Sequence, residues 1–147
     1  MEINTASAAI SFARKLEEDS AKFYEDLSQR YPKGKDVLLT FAKENKKNVV
    51  QIERAYYGVI IDAIEGCFAF NLNPGEYTLK TELAEEASFS EALDKAVEIE
   101  EKMIKFYSDA AEQSKSLMAD VPRAFTLTAR KREGRESKLR SLLGGEG

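Results

Sequence analysis

The sequence predicts an all-α protein, a bundle of four helices arranged as two helical hairpins joined by a long crossover. Three observations carry this. Four stretches repeat apolar residues at the three-and-four spacing of a helix with one buried face. The connections inside each pair are short, whereas residues 58–87 separate the pairs. The first helix also returns in the third: AISFARKLEEDSAKFYED at 9–26 becomes ALDKAVEIEEKMIKFYSD at 92–109, each with a Glu seven residues before a Tyr. A chain of 147 residues fits one domain, 1–147, with one core.

The first helix is expected from about Ser7 to Gln29, with Ala9, Ile10, Ala13, Leu16, Phe23 and Leu27 on one face, closed by Tyr31-Pro32-Lys33-Gly34. The second runs from about Asp36 to Tyr57 and carries Leu38, Phe41, Ala42, Val49, Ile52 and Ala55. The crossover then has an apolar part containing Cys67, Phe68 and Phe70, followed by an acidic part, EYTLKTELAEEA. Its apolar part is expected to pack along the bundle or to form a subunit interface. Ser88 and Glu91 have capping-box spacing and start the third helix, which continues through Leu93, Ala96, Ile99, Met103 and Ala110. Pro122 suits the first turn of the fourth, with Phe125, Ala129, Leu139, Leu142 and Leu143 inward. Gly144-Gly145 is expected to end that helix and leave residues 144–147 as a disordered tail.

Composition narrows the function. A net charge of -4 argues against a nucleic-acid partner or an anionic membrane surface, and the basic run at residues 130–140 reads as a solvated helix flank. One cysteine excludes an intrachain disulfide and fits a reducing compartment. MEINTASAAISFARK lacks the basic-then-apolar order of a signal peptide, and no stretch approaches a membrane span, so a cytoplasmic protein is expected. The chain has no histidine. Catalysis would therefore fall to carboxylates, Tyr, Lys or a metal held by oxygen.

Seven residues at ~100° each return to within about 20° of the starting direction, so Glu17 shares a stripe with Tyr24, and Glu100 with Tyr107. Both stripes are otherwise apolar, which sets a carboxylate inside. On the second helix the inward stripe meets Asn45 and Asn48, and on the fourth it is expected to meet Glu133 and Glu136, each pair three apart. One polar residue on each odd helix and an i, i+3 pair on each even helix form a ring at mid-bundle. That is the layout of a carboxylate-bridged dimetal site.

These residues resemble the rubrerythrin-type branch of the ferritin-like superfamily over nearly the whole chain. In that family each half supplies a helix with a Glu seven before a Tyr, then a helix with Glu-x-x-His or Glu-x-x-Glu. Glu133-Gly134-Arg135-Glu136 stands where the second such pair belongs. Asn45-Lys46-Lys47-Asn48 replaces the first, and Met103 stands where the family often has a further Glu. The resemblance implies a centre binding iron or another divalent metal through Glu17, Glu100, Glu133 and Glu136, with Tyr24 and Tyr107 orienting the carboxylates. It also implies a homodimer. Rubrerythrin-type activity, peroxide reduction or oxygen activation, would need an external electron donor, since no Cys-x-x-Cys iron site is present.

Four such carboxylates within ~7 Å of one another, at an effective dielectric of ~20, would repel by ~2.4 kcal/mol per pair, about 14 in all. That rivals the ~5–15 kcal/mol that holds a domain folded. The remedies are a bound cation, proton uptake, or an internal cation from Arg14, Lys46, Arg132 or Arg135. The Asn pair can donate amide hydrogens to a carboxylate without metal. Two readings follow: a non-catalytic or weakly metal-binding protein with a partly lost dimetal site, or a di-iron oxidoreductase.

Overall fold

The computed structural model describes residues 3–59, 70–114 and 120–146. Four helices make up nearly all of it: α1 (Ala6–Arg30), α2 (Lys35–Val59), α3 (Phe89–Gln113) and α4 (Asp120–Glu146). Local chemistry sets their ends. The Thr5 hydroxyl accepts from the Ala8 amide and caps α1, a contact worth ~1 kcal/mol. Tyr31 leaves helical geometry because a residue preceding proline is pushed out of it. The Pro32–Gly34 turn then reverses the chain into α2. Gly34 is needed there: a Cβ would meet the Phe89 ring at 2.7 Å. At α3 the predicted capping box is present, with Ser88 and Glu91 each bonding the other's backbone amide. Pro122 falls in the first turn of α4, where its missing N–H costs nothing. That helix runs through Gly144 and Gly145 to Glu146, beyond the expected stop. Glycine lowers helix propensity by ~1 kcal/mol but does not forbid a helix.

Contact pairs give the directions of the helices. Tyr24 meets Phe41 while Arg14 pairs with Glu53, so α1 and α2 are antiparallel. Tyr107 meets Phe125 while Arg140 reaches Glu101, which makes α3 and α4 antiparallel too. Between the hairpins, Tyr107 reaches Glu17 and Tyr24 reaches Glu100. Lys131 reaches Gln51 and Arg135 reaches Asn45. Hence α1 also runs against α3, and α2 against α4.

The connection after α2 crosses residues 60–69, including Cys67 and Phe68, which lie outside the described residues. From Phe70 onward it lies against the bundle. Leu72 exchanges two backbone hydrogen bonds with Ile3, at 2.7 and 2.9 Å, and Phe70, Leu72 and Tyr77 are buried. Tyr77 meets Phe106 edge to face at 5.3 Å, and Phe106 also meets Phe12 and Tyr107. Each such aromatic contact adds ~0.5–1.5 kcal/mol beyond its buried area. Among the described residues, no helix is long and apolar enough to cross a membrane.

Candidate functional site

The inward stripe of every helix carries polar residues to one level of the bundle. Glu17 and Ser20 come from α1, Asn45 and Asn48 from α2, Glu100 and Tyr107 from α3, and Arg132 and Arg135 from α4, all buried. Tyr24 joins them from the next turns of α1. Met103, where the family often has a further Glu, is a buried apolar residue of the core.

Arg132 holds the centre. Its Nη1 donates to both oxygens of Glu100, at 3.0 and 2.8 Å. Its Nη2 donates to Glu17 Oε1 at 2.7 Å and to Ser20 Oγ at 3.2 Å. One planar cation thus bridges the two carboxylates that the internal repeat brings face to face, using the fork geometry for which guanidinium is suited.

The tyrosines complete the carboxylates reciprocally. Tyr24 donates to Glu100 and Tyr107 to Glu17, each at 2.5 Å. Each phenol therefore serves the Glu of the other half, not the one seven residues before it. Asn48 donates to Glu17 Oε1 at 3.2 Å. Asn45 donates to the Glu17 carbonyl and the Ser20 hydroxyl, while its own oxygen accepts from Arg135 at 2.7 Å. The two Asn act as amide donors to the Glu17 and Ser20 groups.

Charge balances at this level: two carboxylates face two guanidinium groups. Glu17 and Glu100 enclose Arg132 strongly enough that its pKa stays above the ordinary arginine value, although burial opposes this. Arg135 goes the other way, lowered by burial and by Arg132 beside it. Burial, then the neighbouring carboxylate, raises the pKa of Tyr24 and Tyr107 well above the usual phenol value, so both stay protonated donors.

Two expected site residues are not here. Glu133 is exposed, and Glu136 points outward to pair with Arg140 at 3.7 Å. The inward i, i+3 pair of α4 is Arg132 and Arg135, one position earlier than the Glu pair. Phe125, Arg132 and Leu139 are spaced by seven, the same interval that links Glu17 to Tyr24, so Arg132 was on the stripe throughout. Arginine's long apolar stem and its two buried counter-charges make that position tolerable.

A dimetal centre does not fit these residues. No group of three or more acidic, cysteine or histidine side chains gathers among the described residues. The space between the two inward carboxylates is filled by a fixed cation, and each carboxylate already accepts three hydrogen bonds. Of the three remedies for buried repulsion, this centre uses the internal arginine. Comparison with known protein families, with curated proteins and with solved structures found no match to this chain.

Proposed function

We propose that this chain is a non-catalytic, cytoplasmic protein of rubrerythrin type, in which a permanent guanidinium has replaced the metal. The observation that carries this reading is Arg132 bridging Glu17 and Glu100 through three hydrogen bonds of 2.7–3.0 Å. A cation supplied by the chain gives the carboxylates the neutralisation that a divalent metal would otherwise supply. Helix directions support the ferritin-like part. With α1 antiparallel to both α2 and α3, those two run the same way, and the connection joining them has to travel the length of the bundle, as a long crossover does. With both carboxylates of its centre satisfied, the protein would act through its surface, with self-association as a homodimer the simplest form. An external electron donor belongs only to the oxidoreductase reading, which the residues present do not fit.

Elemental analysis of purified protein, paired with thermal melting in chelator and in added Fe(II), tests this. Metal-free protein whose melting is unmoved by either addition is the expected result. About two irons per chain, with peroxide-dependent oxidation of the centre, would overturn it.

A further inference from the structure

Arg135 carries a charge that its surroundings serve poorly. The side chain is 3% exposed. Nη1 bonds an amide oxygen and Nη2 the Phe41 carbonyl at 3.1 Å, while Nε has no partner; Arg132 Nε lacks one too, but of the two arginines only Arg135 lines an open cleft. The nearest carboxylate oxygens, on Glu44 and Glu100, stand at 3.6 and 3.7 Å, beyond a normal hydrogen bond. Of the two guanidinium groups, only Arg132 bonds Glu17 and Glu100 directly. Buried donors are almost always satisfied, so a bare one on a charged group points to a missing partner.

Arg135 lines a cleft of about 340 Å³ between α2 and α4. Lys131 and Lys138 flank it from α4 and Asp36 and Glu44 from α2, which leaves one positive charge in excess. Val37 and Phe41 supply an apolar wall, and the Phe41 ring lies 4.6 Å from the Arg135 guanidinium. Gly134 lies at the cleft too, and a Cβ there would meet nothing within 4 Å. Small-ligand sites typically have this size, with an apolar wall and a few polar groups.

We infer that this cleft binds a small organic monocarboxylate, its carboxylate set against Arg135 and the flanking lysines and its apolar body against Val37 and Phe41. The lowered pKa of Arg135 agrees, since an anion beside it would relieve both burial and the repulsion of Arg132. This inference does not rest on the metal-free centre, and elemental analysis stands whichever way the cleft behaves.

Benzoate is the probe, with benzamide as its uncharged counterpart, in thermal melts at matched ionic strength. Benzoate at ten times its Kd should raise the folded-to-unfolded ratio about elevenfold, and benzamide should leave melting unchanged. Gly134→Leu fills the cleft, replaces a helix-interior glycine with a better helix former, and should abolish the benzoate shift without lowering the unliganded melting temperature. Lys138→Ala, at an exposed position, should weaken the shift and leave the unliganded melt alone. No shift with benzoate, an equal shift with benzamide, or a shift that survives Gly134→Leu would each overturn the inference.

Discussion

Substituting Met for Arg132 keeps a long unbranched stem and removes the one cation between two buried carboxylates. Glu17 and Glu100 each lie within 3.0 Å of a guanidinium nitrogen. Without it they would face each other at roughly 5 Å, a repulsion of ~3.3 kcal/mol at an effective dielectric of ~20. Three charge-assisted hydrogen bonds also disappear. Breaking a buried ion pair by removing one partner typically costs ~3–5 kcal/mol, and Arg132→Met should fall there. Against a whole stability of ~5–15 kcal/mol, that is roughly a fifth or more of the fold. Urea denaturation followed by circular dichroism measures it. Proton uptake by either carboxylate would remove the repulsion, so the variant should gain stability relative to the parent as pH falls from 7 to about 5. Adding Glu17→Gln and Glu100→Gln removes both orphaned charges, and this triple variant should recover most of the loss. A single variant within about 1 kcal/mol of the parent, with an unchanged pH profile, would refute the claim that Arg132 neutralises this core.

Three further outcomes are expected. Tyr24 and Tyr107 hold their protons more tightly folded than unfolded, because burial and then Glu100 and Glu17 raise their pKa. The stability this gives is whole below pH ~10 and is lost as pH rises through the folded values, so their phenolate absorbance should appear only as helical ellipticity collapses. Full ionisation of all six tyrosines in a still-helical protein would contradict this. Gly34→Ala should destabilise by ~1–3 kcal/mol through overpacking against Phe89, read by the shift in urea midpoint; an unchanged midpoint would mean that the ring gives way freely. Ser88→Ala removes one arm of the capping box and should cost ~1 kcal/mol, with exchange of amides in the first turn of α3 as the local readout.

Most of the architecture could be read from the residues. Period and capping located both ends of α1 and α2 and the start of α3 to within two residues, because each has a continuous apolar stripe. The same spacing put Glu17, Glu100, Asn45 and Asn48 inside, where they are. At α4 the reading went astray for a physical reason. This helix has no large apolar residue between Ala129 and Leu139, and Arg132, Glu133, Arg135 and Glu136 compete for the inward positions. Treating carboxylates as the inward groups favoured Glu133 and Glu136; keeping the seven-residue interval from Phe125 to Leu139 would have selected Arg132. Electrostatics pointed the same way, since a ring of four acids required a neutralising partner and Arg132 was among the candidates. The Arg135 cleft left no signal in the sequence, because it depends on the spacing of α2 and α4 around Gly134.

The crossed pairing of Tyr24 with Glu100 and Tyr107 with Glu17 makes the repeated halves mutually dependent. A hairpin of α1 and α2 alone would keep an inward-facing Glu17 without its phenol or its arginine. A hairpin of α3 and α4 alone would keep Arg132 but lose the phenol that completes Glu100 and Glu17, the second acid that Arg132 bridges. Separately expressed halves should therefore stay unstructured until mixed, then assemble in equal proportion, so that a duplicated sequence yields one indivisible unit of cooperativity.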